Sequence, residues 1–170
     1  MPFTYEWRGA VTSTELNALH AEAFGTRVFG ADEWDWISLL ERHSLGWVVA
    51  RDGDELVGFA NVLWDGLVHA WIQDVMVAKR RRGHDLGTEL VARSADGASA
   101  AGCEYLHVDF EDELRPFYID ACGFRPASAG LLALASREHH PPLDPDRLRA
   151  DIDAVIDHAS DRGPLRPRRG

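Results

Sequence analysis

The segment from Lys79 to Thr88 has the residue types of an anion-binding site. Four consecutive basic residues, 79–82, follow an apolar run, and Gly83 and Gly87 lie just beyond them. A strand that passes through a basic, glycine-bearing loop into a helix directs unpaired backbone N–H groups and the positive end of the helix dipole to one point. The pattern predicts a polyanion site, most simply for a diphosphate, with a solvated run of charge as the alternative.

Carboxylates stand at the ends of the two strands predicted on either side of that helix. Asp74 lies near the end of the first strand, and Asp109 and Glu111 lie on or just after the second. Alternation along a strand places His107 and Asp109 on one face. A carboxylate in a cleft can orient a cationic group or accept a proton. We rank Asp74 and Asp109 first as candidate bases, then Glu111 and last His107, with turn caps or solvated strand ends as the alternative for each.

The charge of the chain is distributed unevenly. The net charge of −10 on 170 residues argues against a general nucleic-acid binder. Residues 137–170 hold seven arginines and seven acidic residues, so residues 1–136 carry the whole negative charge. Four of the 11 basic residues in 1–136 are those at 79–82. This asymmetry predicts a polyanion at the basic loop and a cationic or neutral partner elsewhere.

Hydrophobic periodicity predicts the elements that position these residues. The predicted strands are Phe3–Trp7, Trp47–Arg51, Leu56–Trp64, Leu67–Val77, Tyr105–Phe110 and Leu131–Leu134. The first predicted helix begins with the capping box at Thr12–Glu15 and ends near Gly25. The second runs over Asp32–His43 and ends at a break at Ser44–Gly46. Further helices are predicted at Leu86–Ala101 and Leu114–Cys122, and an acidic amphipathic stretch at Asp146–His158.

The order of these elements indicates an α/β (α+β) fold in one domain. Three strands follow each other across short turns, which predicts an antiparallel meander. The 16-residue helix before Tyr105 predicts a right-handed crossover and a parallel pairing for the next strand. We therefore expect a mixed, mostly antiparallel central sheet flanked by helices over residues 1–135. Residues 136–170 form a C-terminal extension that is predicted to be partly helical, with a mobile end.

Arg82-Gly83-His84-Asp85-Leu86-Gly87 resembles the cofactor motif [QR]-x-x-G-x-[GA] of the GNAT superfamily of acyl-CoA-dependent N-acyltransferases. The later strand at Tyr105–Phe110, the pair Phe117-Tyr118 and the pair Gly123-Phe124 are also similar to that family, as is the order of elements over residues 3–135. The resemblance implies a GNAT-like fold and transfer of acetyl from acetyl-CoA to a primary amine by direct attack, without a covalent enzyme intermediate or a metal.

The resemblance also implies roles for individual residues. Main-chain groups of the strand would stabilise the oxyanion and position the acetyl group, and the loop would bind the pyrophosphate of CoA. Tyr118 would protonate the CoA thiolate. The implied cofactor-binding residues are Val75, Met76, Val77, Arg82, Gly83, His84, Asp85, Leu86, Gly87 and Thr88.

Two residues depart from the family pattern. Asp85 replaces a glycine of the motif, which places a carboxylate beside a diphosphate unless its side chain caps the helix or pairs with an arginine. Four residues, 119–122, separate Tyr118 from Gly123, where the family more often has three. Phe117 is therefore an alternative occupant of the family's tyrosine position.

The expected acceptor is a cationic small molecule or a peptide amine. Trp34, Trp36, Trp64 and Trp71 are candidates for the wall of its pocket, with core packing as the alternative. A non-catalytic acyl-CoA-binding or regulatory domain is the competing hypothesis. The chain has no apolar run of about 20 residues and no signal-peptide layout. We therefore expect a cytoplasmic protein with no membrane, nucleic-acid or metal partner, and a homodimer is left open.

Overall fold

A computed structural model describes residues 3–132 and 134 of the chain. By its internal contacts the chain divides into the units Met1–Pro126 and Ala127–Gly170. Every helix and strand of the described residues lies in the first unit. The predicted amphipathic stretch at Asp146–His158 lies outside the described residues.

The first unit is built on one five-stranded sheet whose spatial order equals the chain order. The strands are β1 Thr4–Trp7, β2 Ser44–Asp52, β3 Glu55–Trp64, β4 His69–Val77 and β5 Tyr105–His107. The first four pair antiparallel, and β5 pairs parallel to β4. The predicted meander, the parallel crossover and the mixed α+β fold are confirmed.

Three α-helices flank the sheet: α1 Ser13–Phe24, α2 Trp36–His43 and α3 Leu86–Ala100. The capping box of α1 forms as predicted, because the Glu15 N–H donates to the Thr12 hydroxyl at 3.2 Å and the Thr12 N–H donates to the Glu15 carboxylate at 2.9 Å. Gly25 ends α1 in the left-handed conformation that favours glycine, with φ of 71°. Shorter helical turns lie at Lys79–Arg81, Asp112–Leu114 and Pro116–Ala121.

The helices cover opposite faces of the sheet. A Cβ at Gly58 in β3 would overlap Leu86 of α3, so α3 lies on the face to which Gly58 points. The neighbouring Phe59 points the other way, where its ring contacts Trp36 of α2 at 6.0 Å between centroids. Phe59, Trp36 and Leu86 are fully buried, and burying large apolar side chains on both faces is the main driving force for this arrangement.

Three predicted boundaries near the sheet were wrong. The second helix begins at Trp36, where the Asp35 carboxylate accepts from the Ser38 N–H, rather than at Asp32. Ser44–Gly46 is the start of β2 rather than a break, because a glycine without Cβ lets the Trp7 ring pack directly on the strand. Strand β5 ends at His107 rather than at Phe110.

The predicted last strand, Leu131–Leu134, is not formed at the residues that the structure describes. Leu131 and Leu132 are in no regular element, and 96% of the Leu131 side chain is exposed. A half-buried strand needs a partner for its apolar face, and these leucines show none among the described residues. Ala133 lies outside them.

Candidate active site

A β-bulge interrupts β4 at Asp74. Phe59 pairs with Met76 and Asn61 with Gln73, so β4 contains one residue more than β3 over this interval. Asp74 takes up the extra length in the left-handed conformation, with φ of 50°. A bulge interrupts the hydrogen bonds between two paired strands and changes the direction of a side chain. The Asp74 carboxylate therefore does not follow the regular alternation of side chains along β4.

The sheet opens next to this bulge. Strand β5 pairs with β4 only as far as the register pair Trp71 and His107. Beyond that pair the two chain segments are no longer hydrogen-bonded to each other. Asp74 lies further along the β4 segment, and Asp109 lies on the segment that follows β5. Asp109 and Glu111 are exposed, and their carboxylates form no hydrogen bond within residues 3–132 and 134. Of the three predicted carboxylates, Asp74 is the one with a partly buried environment.

Burial and two neighbours together set the protonation of Asp74. Desolvation raises the pKa of this carboxyl group above its usual range. The positive charge of His20 on α1 and a hydrogen bond with the Asn61 side chain act in the opposite direction and lower the pKa. The net effect is a pKa that is raised. Such a carboxylate is a better proton acceptor than an exposed aspartate.

Aromatic rings from α1 and from the segment before α2 surround His20. The His20 ring lies 5.0 Å from the Trp34 ring and 4.8 Å from the Phe24 ring. Trp34 is partly buried and stacks on Trp36 at 5.5 Å between centroids. Trp36 is 1% exposed and its Nε1–H donates to the Asn17 side chain at 2.9 Å, so it is a core residue. Trp34 is therefore the tryptophan of this pair that can line a pocket.

The other predicted tryptophans lie on β3 and β4. The Trp71 ring stacks on the His107 ring at 5.0 Å, and His107 Nε2 lies 2.7 Å from His69 Nδ1. His107 is thus engaged with a neighbouring imidazole and an indole at the point where β4 and β5 separate. Trp64 is 41% exposed at the end of β3.

The basic side chains of the loop are largely directed at protein groups. Arg81 forms an ion pair with Asp52, and Arg80 forms one with Glu55. The Arg82 guanidinium donates to the carbonyl oxygens of Ala23, at 3.0 Å, and Val77, at 3.4 Å. These contacts tie the loop to α1, β2, β3 and β4. The basic cluster accordingly serves to hold the loop, in addition to any charge it offers to an anion.

The backbone of the loop supplies the groups expected at an anion site. Within the described part of the chain, none of the N–H groups of residues 83–88 has a hydrogen-bond acceptor. The first intrahelical bond runs from the Glu89 N–H to the Asp85 carbonyl at 3.0 Å. Six consecutive free donors at the positive end of the α3 dipole form a site that fits phosphate oxygens.

Asp85 is placed at the centre of these donors. It is the N-cap residue of α3, with φ of 55° in the left-handed region. Its side chain makes no capping hydrogen bond, and it has no salt bridge among the described residues. Neither of the two arrangements that would turn this carboxylate away from a diphosphate, a helix cap or an arginine pair, is formed in the described residues. It remains exposed beside the N–H groups.

The extra residue after Tyr118 is accommodated as a π-helical turn over Pro116–Ala121. The Cys122 N–H donates to the Phe117 carbonyl five residues earlier, at 2.9 Å. A π-turn absorbs a single inserted residue without ending the helix. The insertion therefore leaves Phe117 and Tyr118 on the same helical turn.

Phe117 and Tyr118 have different surroundings. A Cβ at Gly87 would lie 3.2 Å from the Phe117 ring, so Phe117 packs against the first turn of α3. Tyr118 is 6% exposed, with ring centroids 5.1 Å from Phe110 and 5.9 Å from Phe124. Burial raises the pKa of the Tyr118 phenol to about 12. The phenol therefore keeps its proton across the neutral range.

A groove of about 510 Å³ lies between α3, β5 and the π-turn. This volume is in the range of small-molecule and cofactor sites. It begins at Thr88, next to the free N–H groups. The lining residues are Thr88, Glu89, Val91, Ala92, Ala95, Glu104, Tyr105, Leu106, Ala121, Cys122, Gly123, Phe124 and Arg125.

Neither a metal-binding cluster nor a membrane-spanning helix is found within residues 3–132 and 134. No cluster of three or more histidine, cysteine or acidic side chains has the geometry to hold a metal ion there. None of the helices in that part of the chain combines the length and the apolar character that crossing a bilayer requires.

The profile of the Acetyltransferase (GNAT) family matches residues 12–124. The chain belongs to the GNAT acetyltransferase family. The resemblance seen in residues 82–87 is thereby confirmed, and the match ends at Phe124, directly after the Gly123-Phe124 pair. This GNAT acetyltransferase has no match among the curated proteins.

Solved GNAT structures share the fold at low sequence identity. A GNAT family acetyltransferase from Streptococcus pneumoniae is 18% identical, with 80% of this chain and 100% of that chain covered and a TM-score of 0.64. Glucosamine-6-phosphate N-acetyltransferase from Arabidopsis thaliana is 19% identical, covers 76% and 97%, and has a TM-score of 0.62. AAC(6')-Iy in complex with the bisubstrate analogue CoA-S-monomethyl-acetylneamine is 14% identical, covers 82% and 100%, and has a TM-score of 0.65.

Sequence reasoning missed His20 and Asn61, which act on Asp74, and Ser44, which is hydrogen-bonded to Asn61. Asn61 had a visible cue, because it is a polar residue in the middle of an otherwise apolar strand, Leu56–Trp64. Nothing local to His20 or Ser44 suggested a role. The contacts of these three residues join segments that are distant in the sequence.

Proposed function

We propose that this GNAT acetyltransferase transfers acetyl from acetyl-CoA to a cationic primary amine, with Asp74 orienting the ammonium group and accepting its proton. The observation that carries the proposal is the partly buried Asp74 carboxylate at the β4 bulge, with its raised pKa. It lies where β4 and β5 separate and within reach of the charge of His20. A negative charge in a partly buried position favours an ammonium ligand.

Acetyl-CoA is the acyl donor in this proposal. The free N–H groups of residues 83–88 and the α3 dipole would bind its diphosphate, with Arg82 and Thr88 at the two ends of the loop. Main-chain groups of Val75, Met76 and Val77, directly after the bulge, would position the acetyl group. The groove that begins at Thr88 has room for a further part of the CoA molecule. The solved complex of AAC(6')-Iy with a CoA-containing analogue supports CoA as the donor.

The chemical step is a direct attack on the thioester. The amine nitrogen, once deprotonated, forms the new C–N bond to the acetyl carbonyl carbon, and the C–S bond breaks with its electron pair leaving on sulfur. Asp74, directly or through a water, takes the proton from the nitrogen. Main-chain N–H groups stabilise the oxyanion. Tyr118 donates a hydrogen bond to the leaving thiolate, and its high pKa makes full proton transfer from the phenol the less favourable outcome.

Two observations support this class of acceptor: the negative charge of the chain, and the aromatic rings of Trp34 and His20. Residues 1–136 carry the whole net charge of −10, which raises the local concentration of cations. The Trp34 ring lies 5.0 Å from the ring of His20, whose charge acts on Asp74. Aromatic faces bind ammonium groups. The names of AAC(6')-Iy, an aminoglycoside N-acetyltransferase, and of glucosamine-6-phosphate N-acetyltransferase support an amino sugar over a peptide amine.

A thiol-release assay with acetyl-CoA and a panel of aminoglycosides, polyamines, amino sugars and basic peptides tests the proposal. Asp74→Asn should lower kcat/KM about 100-fold or more, the usual contribution of a general base. The matched variant is Asp109→Asn, whose carboxylate is exposed. Equal losses in both variants would assign the base elsewhere, and full activity of Asp74→Asn would refute the proposal.

The raised pKa of Asp74 predicts two further observations on the same proteins. Activity that needs the carboxylate is lost as pH falls through this raised pKa, so the acidic limb should disappear in Asp74→Asn. An acid whose pKa is raised by folding destabilises the fold when ionised. Asp74→Asn should therefore melt at or above the wild-type temperature near pH 7, which separates lost catalysis from unfolding. Calorimetric binding of acetyl-CoA without turnover of any amine would instead favour an acyl-CoA-binding domain.

A further inference from the structure

A buried polar pair lies behind the Asp74 carboxylate. Asn61 is 1% exposed in the middle of β3, between the buried apolar residues Ala60 and Val62. It pairs with Gln73 in the register, so it is next to Asp74 on the neighbouring strand. The Ser44 hydroxyl, from the first residue of β2, donates to Asn61 Oδ1 at 2.6 Å. Such polar groups are costly in a core unless they are paired.

The Ser44 contact determines which way the Asn61 amide faces. With its carbonyl oxygen accepting from Ser44, the amide presents its NH₂ group to the other side. The register places Asp74 next to Asn61, and a hydrogen bond with the Asn61 side chain lowers the pKa of the Asp74 carboxyl group. The opposite orientation would set the amide oxygen against the carboxylate, with two acceptors facing each other. The partly buried Asp74 carboxylate would then lose its donor.

We propose that Asn61 and Ser44 are positioning residues for Asp74: the Ser44 hydroxyl orients the Asn61 amide, and the amide holds the carboxylate at the bulge in its ionised, proton-accepting form. This inference rests on the proposed role of Asp74. Neither Asn61 nor Ser44 touches a reacting atom. Their effect on the reaction passes through the Asp74 carboxylate.

The other neighbours of Asp74 show how much its ionised form depends on Asn61. From α1, the charge of His20 acts on the carboxylate, and from β3 the donor is Asn61. These are the two favourable influences found within residues 3–132 and 134, and both oppose desolvation. Without Asn61, the charge of His20 is the one favourable influence that remains in this part of the chain. Asp74 would then stay protonated over a wider pH range.

The test is a titration of the Asp74 side-chain carboxyl carbon by NMR in the full chain, together with pH profiles of kcat/KM. Asn61→Leu removes the amide at nearly constant volume and should raise the Asp74 midpoint by about one to two pH units, the worth of a hydrogen bond to a charged group. The acidic limb should move by the same amount, with KM for acetyl-CoA unchanged. Ser44→Ala should give a smaller shift in the same direction, and Ser44→Thr, which keeps a hydroxyl, should restore the wild-type midpoint.

The outcomes separate this inference from the proposed function. An NMR midpoint that moves in Asn61→Leu supports the positioning role even if Asp74→Asn leaves the pH profile unchanged, a result that would refute Asp74 as the base. An unchanged midpoint in both Asn61→Leu and Ser44→Ala overturns the inference, whatever Asp74→Asn does to activity. If Asn61→Leu does not fold, the comparison of Ser44→Ala with Ser44→Thr decides, and equal midpoints in those two variants overturn it.

Discussion

Removing the carboxylate of Asp85 should tighten the binding of CoA. Asp85 lies among six free N–H donors and is exposed without a hydrogen bond or salt bridge of its own in the described residues. A phosphate charge at about 6 Å from this carboxylate is repelled by roughly 0.7 kcal/mol in water, and two such charges by about 1.4 kcal/mol. Asparagine, like aspartate, tolerates the left-handed backbone conformation. Asp85→Asn should therefore lower the Kd of CoA about tenfold at low salt.

Ionic strength provides an internal check on this effect. The screening length is about 8 Å at 0.15 M salt, comparable with the separation of the charges, so the gain should shrink to about two- to threefold there. Isothermal titration calorimetry of CoA and acetyl-CoA at 10 mM and at 150 mM salt measures both values. A gain that does not depend on salt would point to a steric rather than an electrostatic cause.

Two further variants at Asp85 separate charge from backbone strain. Asp85→Gly removes the charge and relieves the left-handed conformation, in which φ is 55°. Asp85→Ala removes the same charge but keeps a Cβ in that conformation, at a cost of about 1–2 kcal/mol. Both should tighten CoA binding, and only Asp85→Ala should lower the melting temperature. Unchanged or weaker binding by Asp85→Asn at low salt would refute the electrostatic reasoning and assign the carboxylate a favourable contact.

Two other substitutions test the leaving-group contact and the packing of α3. Tyr118→Phe should lower kcat about 100-fold while the calorimetric Kd of acetyl-CoA stays constant, because the phenol remains protonated at neutral pH and acts only as the thiolate forms; retained turnover would remove Tyr118 from the mechanism. Gly97→Ala should lower the free energy of unfolding in urea by about 1–3 kcal/mol, although alanine favours helices. The reason is that its Cβ would lie 2.5 Å from the Trp7 ring, which is also packed against Gly46. Unchanged stability would show that the ring is free to move.

Elements with a strong local pattern were predictable from the sequence. The capping box at Thr12 and the glycine at 25 define α1, and the alternating runs after residue 47 define the meander. The helix after the basic loop and the parallel strand that follows it were also predicted within a few residues. These features depend on side-chain periodicity and on hydrogen bonds between residues three or four apart, which a single segment already contains.

The surroundings of the loop were not predictable in the same way. The basic run at 79–82 indicated an anion site, but its partners Asp52, Glu22 and Glu55 lie some 25 to 60 residues away in the chain. Only the folded chain shows that these arginines hold the loop in place while its N–H groups stay free. The π-turn was likewise invisible, since the sequence showed an extra residue but not how the helix absorbs it.

By itself, the sequence determined the family, the mixed sheet and the position of the basic loop before α3, because each depends on local periodicity or on a short contiguous motif. Tertiary structure alone decided the environment of Asp74. The bulge exists only through the register of β4 against β3, while the charge of His20 comes from α1, and Asn61 on β3 is in turn hydrogen-bonded to Ser44 on β2. Burial and the charge of neighbours set the pKa of a carboxyl group. Both are properties of the packed chain, which makes Asp74 distinct from Asp109 and Glu111 only after folding.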